Sequence, residues 1–370
     1  MRVLIAGAGV AGLEAALALR ELALDLADVE LVAPEHDFVY RPLAVAAPFQ
    51  MGEVRRFPLH TLVADAGATL HQGTVASVDT ERAVLTTGEG DELDYDALLL
   101  ALGARPLTAV EGALTFRGPQ DADEIARVLE RARSGSIERI VFAVPRDVTW
   151  PLPLYELALH TKVHLADAGV EAAVEIVTPE AVPLELFGVG AGESMRELLE
   201  VRGVGLGLQT NPLAVEDGSL RVEHGEPIRA DVVVALPRLE GPRLEGVPHD
   251  EAGFIEVDEH CRLKGFDDVW AAGDLTSFPI KQGGLAAQQA DTAAESIAAR
   301  AGADVKAQPF KPLLRGLLLT GLSPRFLRTE PGTEDFSFDT EPLWWPPSKI
   351  VGRHLAPFLA GELGLTTPEP

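Results

Sequence analysis

The chain begins with a short apolar run, Arg2-Val3-Leu4-Ile5-Ala6, that passes straight into Gly7-Ala8-Gly9-Val10-Ala11-Gly12 and then into an alanine- and leucine-rich stretch. Three glycines at this spacing, between a strand and a helix, are the turn of a dinucleotide-binding βαβ unit. Gly7 permits the tight turn, Gly9 lets backbone N–H groups approach a pyrophosphate, and Gly12 lets helix and strand pack closely. The unpaired N–H groups and partial positive charge at the helix start then hold the phosphates. Taken alone, the motif allows NAD, FAD or a glycine-rich turn with no ligand.

The following residues complete such a unit. A helix is expected from Leu13 to about Leu26 and a strand at Val29–Val32, which gives the length the fold needs. A carboxylate for an adenosine ribose belongs at the end of that second strand. Ala33-Pro34-Glu35 stands there, so Glu35 is the candidate, with a solvated loop glutamate as the alternative. His71–Asp79 and Ala83–Thr87 alternate like a small antiparallel sheet, and Asp94-Tyr95-Asp96 opens a buried strand, ALLLALGARP. The plan then repeats. Arg139–Val144 reads as a strand, followed by a helix near Leu154–His164; Glu175–Glu180 echoes Glu30–Glu35, and Asp231–Pro237 echoes Asp96–Gly103. Two echoes at matching places suggest a second nucleotide-type domain inserted in the first, chance likeness of apolar strands being the alternative.

Beyond the insertion, Phe254–Asp258 and Val269–Ala272 read as strands and Gly283–Arg300 as a long helix. After Pro309 the pattern changes to a hairpin turning at Ser323-Pro324, a proline-rich loop, a short helix around Ile350–Leu359 and a frayed TTPEP end. The expected class is therefore α/β, with two Rossmann-like domains and a small C-terminal segment. The expected division is 1–115 with 245–310, then 116–244, then 311–370.

Composition narrows the function. A net charge of −26 argues against nucleic acid and against bulk electrostatic docking on anionic lipid. The single cysteine, Cys261, excludes an internal disulfide and any CxxC redox pair, and no metal-ligand cluster is apparent. The first strand starts at residue 2, which leaves no room for a signal peptide, and no apolar run reaches membrane-spanning length. A cytoplasmic protein is the default expectation.

Near the far end lies Val269-Trp270-Ala271-Ala272-Gly273-Asp274, ahead of Gly283-Gly284 and the long helix. Together, GAGVAG, YDALLLALGARP and VWAAGD resemble the two-dinucleotide-domain flavoproteins. Within these the chain is most similar to the branch of sulfide:quinone oxidoreductases, flavocytochrome c sulfide dehydrogenases and type II NADH dehydrogenases. Phe38–Leu43, with Arg41 and Pro42, resembles that branch's segment beside the flavin, and Pro279-Ile280-Lys281 resembles its Pro-x-Lys before the last flavin helix. The resemblance covers roughly residues 1–310 and implies FAD. It implies that Gly7, Gly9 and Gly12 cradle the pyrophosphate, that Val75 bonds adenine through its backbone, and that Ala101 and Gly103 close over the adenosine half. Gly273 and Asp274 would meet the ribityl and pyrophosphate region. Gly283 and Gly284 would begin a helix aimed at the flavin pyrimidine, where a dipole favours the negative charge of reduced flavin by roughly 0.3–2 kcal/mol. Lys281 would add to it, or be a solvated lysine.

The departures are equally informative. A second GxGxxG is expected after Val144 if NAD(P)H binds there, yet Pro145–Glu156 contains no glycine, and Asp147 would repel a phosphate. Tight NAD(P)H binding of the usual type is therefore not expected. Pro153-x-Tyr155-Glu156 resembles the GPxYE stretch of the sulfide:quinone enzymes, but their flavin-flanking cysteines are missing, which argues against persulfide chemistry. Trp150 is placed to stack on the isoalloxazine or to pack in the seam between domains. Gln288 and Gln289 are similar to glutamines near quinone in type II NADH dehydrogenases. In the tail, Phe326, Leu327, Trp344, Trp345, Ile350, Leu355, Phe358 and Leu359 are interleaved with Arg315, Arg325, Arg328, Lys349 and Arg353. Such a pattern suits a peripheral contact at the inner membrane face, a homodimer interface or a lid on the core. The expected function is an FAD-dependent oxidoreductase exchanging electrons with small molecules, a quinone among the candidate acceptors. An NAD(P)H-dependent, diaphorase-like flavin reductase and a non-catalytic flavin-binding regulator are the alternatives.

Overall fold

In the computed structural model, residues 1–363 are described, so the expected TTPEP end lies outside the described residues. The first strand, Arg2–Ala6, is flanked on both sides by apolar partners: Ile5 pairs with Leu31 on one side and Leu99 on the other. Strands buried on both faces are what parallel sheets require, and the sheet is parallel throughout. Its order is Val269–Ala271, Ala97–Leu100, Arg2–Ala6, Asp28–Ala33, Thr69–Gln72. The helices Val10–Ala23 and Gly283–Arg300 pack on each other through small side chains, among them Ala11, Ala15 and Ala18 against Ala286, Ala290 and Ala294. Short side chains let the two helix axes approach closely, so both N-termini reach the same edge of the sheet.

A second parallel sheet has the same plan: Leu114–Thr115, Val232–Ala235, Arg139–Ala143, Ala173–Val177, Gly205–Gly207. The two echoes hold in space. Ala173–Val177 flanks its central strand as Asp28–Ala33 does, and Val232–Ala235 as Ala97–Leu100 does. The short strand Leu114–Thr115 sits on this second sheet, just before the division expected at 115. An antiparallel pair, Arg105–Leu107 with Arg238–Glu240, ties the two units together.

Several local expectations are corrected. His71-Gln72 belongs to the parallel sheet, since Thr69–Gln72 returns from the helix Leu59–Asp65 beside the second strand. Only Val75–Asp79, Val84–Thr87 and Glu92–Asp94 form the small antiparallel sheet. Phe254–Asp258 makes isolated bridges, Ile255 to Thr276 and Val257 to Leu263, rather than a strand. Cys261 lies in a bend with φ 58°. The tail has three antiparallel strands, Leu314–Leu318, Arg325–Thr329 and Phe336–Asp339, and its helix starts only at Leu355. The late start has a cause: the buried Glu14 carboxylate accepts the His354 and Leu355 N–H groups at 2.7 and 2.8 Å and fixes the first turn. Among the described residues, no helix is long and apolar enough to cross a membrane.

Candidate functional site

The three glycines have separate jobs in the structure. Gly7 has φ +106°, and a Cβ there would run into the Ala101 carbonyl; a Cβ on Gly12 would run into the carbonyl of Gly7. Around Gly9 there is nothing within 4 Å of the Cβ position, so its smallness serves no protein neighbour. The open side of Gly9 lies at the start of the Val10–Ala23 helix, the kind of place where helix N–H groups could hold a phosphate. Ala101 is held by its N–H to the Ala6 carbonyl at 2.8 Å, and Gly103, φ +68°, also opens on free space. Gly273, φ +86°, packs against Ala11 and donates its N–H to Gln289 Oε1 at 2.8 Å. The two ends of the sequence thereby meet at one edge of one sheet. Glu35 is exposed just past the second strand, in a loop held by Gln72 Nε2 bonding the Pro34 carbonyl at 3.0 Å. Val75 opens the neighbouring antiparallel strand.

Beside the glycine turn lies a cavity of about 500 Å³ between the two sheets' units and the tail. Arg41, Pro42, Trp150, Asp274, Lys281 and Gly283 all line it, so it gathers six of the expected residues. The rest of the wall is largely apolar, with Phe116, Val148, Leu236, Phe254 and Leu317. Asp274 is pushed above the usual carboxylate range by burial, with the Lys281 and Arg41 charges pulling the other way. Asp274 is half-buried at the cavity, and its carboxylate accepts no hydrogen bond from another side chain or backbone among the described residues. Lys281 donates to the Thr276 carbonyl, stands over the Phe254 ring at 3.9 Å and is lowered to about 8 by burial. Gln282, unforeseen in the sequence, caps the Gly283–Arg300 helix: its side chain accepts from the Leu285 N–H at 2.8 Å and donates to the Arg315 carbonyl. Gly284 lies against this Gln282 side chain, where a larger residue would crowd the cap.

Opposite the glycine turn, the glycine-free segment occupies its own ground. Thr149 Oγ1 accepts the Lys281 N–H at 3.4 Å, bringing this segment up to the flavin-side helix. Trp150 lines the cavity and packs against Phe187, ring centroids 5.9 Å apart. Tyr155 donates to Glu180 Oε2 at 2.7 Å, with Thr178 adding a second donor at 2.8 Å. Glu180 is the counterpart of Glu35 in the second unit, so the carboxylate that would meet a second ribose is already bonded to the protein. Burial raises its pKa, and these bonds offset it.

Two further polar groups anchor the cavity-lining residues Lys349 and Ile350. Glu156 is fully buried, and both its oxygens accept from Lys349 Nζ at 2.6 Å; the Leu319 N–H adds a third bond at 2.8 Å. Burial holds the Glu156 carboxyl above its ordinary range, more strongly than Lys349 pulls it down. Tyr40 accepts the N–H groups of Lys349 and Ile350 at 3.0 and 3.1 Å. Sequence reading passed near both sites, in Phe38–Leu43 and Pro153–Glu156, and left Lys349 among residues suited to an interfacial patch, a dimer interface or a lid on the core. Lys349 is 8% exposed. Phe326, Leu327, Ile350, Leu355 and Leu359 are likewise buried, so much of the tail is a lid on the core, with Trp345 left 42% exposed. Gln288 and Gln289 are also spent internally, on Leu313 and on Gly273 with Thr276, rather than aimed into the cavity. The Cys261 thiol is buried and pushed up to about 12 by that burial and the Asp258 charge.

With this geometry in place, comparison with known proteins is direct. The pyridine nucleotide-disulphide oxidoreductase family model matches residues 1–142 and 156–296, and the interval between the matches covers most of the glycine-free segment. Human apoptosis-inducing factor 3 is 28% identical over 295 residues, 75% of this chain, and the matched part is 46% of that protein. The chain thus spans less than half the length of that relative. An NADH dehydrogenase-like protein of Mycobacterium tuberculosis is 28% identical over 304 residues, 75% of this chain and 73% of that one. The sulfide:quinone oxidoreductase structure from Aquifex aeolicus shares the fold, with TM-score 0.82 at 19% identity over 91% of this chain and 86% of that one.

Proposed function

The chain belongs to the pyridine nucleotide-disulphide oxidoreductase family, a family of flavin-dependent oxidoreductases, and on that footing we propose that it moves electron pairs between a reductant and a small apolar acceptor, a quinone being the candidate. FAD, when bound, supplies the two-electron chemistry. Gly7, Gly9, Ala11 and Gly12 hold its phosphates, with Glu35, Val75, Ala101 and Gly103 around its adenosine half. Arg41, Pro42, Gly273 and Asp274 meet its middle, and Gly283 and Gly284 its ring end. Two protons accompany two electrons onto a quinone. The cavity wall offers Lys281 Nζ and Lys349 Nζ, the latter against Glu156, as groups that hold protons there. The apolar wall excludes water and receives a ring-shaped acceptor.

One observation carries this reading: the space beside Gly9 is open, while in the second unit Glu180 is already bonded by Tyr155 and Thr178. That bonding supports a reductant other than NAD(P)H. With one buried, high-pKa thiol, the reading also has no place for persulfide chemistry. The relatives' names favour a second reading, in which NAD(P)H is the reductant through an atypical site. Stopped-flow mixing separates the two. The expected result is yellow protein that releases FAD, reduces slowly or not at all with NADH or NADPH, and, once photoreduced, is reoxidised rapidly by a short-chain quinone. Fast reduction by either nicotinamide overturns the first reading in favour of the second. Photoreduced protein that no quinone reoxidises rejects the acceptor.

A further inference from the structure

The five tail cations are spent unequally. Lys349 meets Glu156, Arg353 lies 3.6 Å from Glu295, and Arg325 donates to the Ser323 and Pro324 carbonyls at 3.0 and 3.1 Å. Arg315 and Arg328 remain. They stand directly opposite each other on the antiparallel strands Leu314–Leu318 and Arg325–Thr329, and Ser337 of Phe336–Asp339 continues the row. Opposed residues share one face of a sheet, their Cα atoms about 4.5–5.5 Å apart, and like charges so placed weaken strand pairing. The chain has 57 acidic residues against 31 basic ones, yet among the described residues no carboxylate lies within 4 Å of either guanidinium. Arg315 is half-buried, and burial first, then the Arg328 charge, lowers its pKa. The sheet also fixes what the row adjoins. Gly316, Leu318 and Leu327 lie on the other face, where Gly316 leaves room for Phe187 of the second unit. Leu317 and Phe326 share the face of the two arginines, and Leu317 lines the cavity. From Arg315 to Leu317 is two residues of strand, about 7 Å. Gln282 Nε2, from the cap of the Gly283–Arg300 helix, holds the strand there by donating to the Arg315 carbonyl at 3.2 Å. One small molecule can therefore place a ring in the cavity and an acidic group on the row. Glu330 and Asp335 line a hollow with Arg328, and Asp339 is exposed on the third strand. These carboxylates and the net charge of −26 repel an acidic protein, whereas a compact anion fits between two guanidinium forks.

We propose that Arg315 and Arg328, with Ser337, bind the carboxylate, sulfonate or phosphate of a flat apolar ring compound, and that this anion selects which electron acceptor enters the cavity. The row's part in acceptor choice rests on the oxidoreductase reading; binding of the anion does not, and is read without turnover.

Two measurements on the FAD-loaded full chain test the site. A naphthoquinone sulfonate and the uncharged naphthoquinone are compared as oxidants of the photoreduced protein, and an anthraquinone sulfonate is titrated into the oxidised protein by calorimetry. Arg328 is exposed and makes no side-chain bond among the described residues, so Arg328→Gln should fold as the wild type does. It should raise the half-saturating concentration of the sulfonate about tenfold, as loss of one charge-assisted hydrogen bond does, and leave that of the uncharged quinone unchanged. Arg315→Gln should act in the same direction, and added salt should weaken the sulfonate alone. Arg325→Gln, which removes the same charge from the opposite face, should affect neither quinone. Equal effects of Arg328→Gln on both quinones, or an Arg325→Gln effect as large on the sulfonate, overturn the site. So does Arg328-dependent binding to phosphatidylglycerol vesicles with no preference for the sulfonate, which assigns the row to a lipid surface. Calorimetric binding of the anthraquinone sulfonate that Arg328→Gln weakens, in a protein whose flavin no quinone reoxidises, supports the site and overturns the functional reading alone.

Discussion

Lys349→Met isolates the ion pair that joins the tail to the second unit. In the wild type the pair is almost dry, with Glu156 at 0% and Lys349 at 8% side-chain exposure, and both bonds are 2.6 Å. Removing the lysine leaves a buried carboxyl with only the Leu319 N–H beside it. Breaking a buried pair from one side costs about 3–5 kcal/mol when the remaining charge persists. Spread over the 370 residues of the chain, at about 2.1 cal/mol/K of unfolding entropy per residue, that loss lowers Tm by about 4–6 °C. The sign of the pH dependence follows from Glu156. Its folded pKa already lies above the ordinary 4.5 because burial dominates, and Lys349→Met removes two of the three influences that lower it, leaving the Leu319 N–H. The variant should therefore approach wild-type stability near pH 5, where the orphaned carboxyl takes up a proton. It should fall progressively behind as pH rises toward 8. Glu156→Gln in the same chain removes the charge to be buried, so the double variant should recover most of the loss at pH 8. Thermal unfolding of all three proteins at pH 5 and pH 8 makes the comparison. A pH-independent loss in Lys349→Met, or a double variant less stable than the single at pH 8, would refute the account of the pair as a desolvated charge held by its partner.

Gly9→Ala should leave the apoprotein's Tm unchanged and weaken FAD retention, whereas Gly12→Ala should destabilise the apoprotein itself; differential scanning calorimetry with and without added FAD separates them. Lys281 is charged below its lowered pKa and neutral above it, so flavin absorbance should step near pH 8 in the wild type and not in Lys281→Met. Cys261 should fail to react with a thiol reagent in the native protein at pH 8 and react once per chain after denaturation in guanidinium.

What the sequence made legible was what local pattern dictates. Gly7, Gly9 and Gly12 were assigned their places because a turn, an open face and a close packing each demand glycine in a strand-to-helix connection. The Gly283–Arg300 helix was read to both ends, since its glycines and alanines have no competing period. The echoes of Glu30–Glu35 in Glu175–Glu180 were visible because both strands are buried on both faces. Lys349 was left among three alternatives for the opposite reason. Its partner Glu156 is on another unit, and a lysine beside prolines and tryptophans looks the same whether it faces water or a buried carboxylate. Glu14 carried no signal in a helix of alanines and leucines, because the N–H groups it caps arrive from the far end of the chain. Alternation at His71–Asp79 could not tell the last strand of a parallel sheet from the first of an antiparallel one.

The strand order has a consequence for synthesis. Every strand of the second parallel sheet lies between Leu114 and Ala235, whereas the first sheet needs both Arg2–Ala6 and Val269–Ala271. As the chain leaves the ribosome, the inserted unit has all its strands before the enclosing one can close its edge. Gly9 must wait for Asp274 and the helix after it, with its partner surfaces exposed meanwhile. The first sheet therefore cannot close its edge until residues past Ala271 have emerged. A chain released early would hold a finished wall with nothing to enclose.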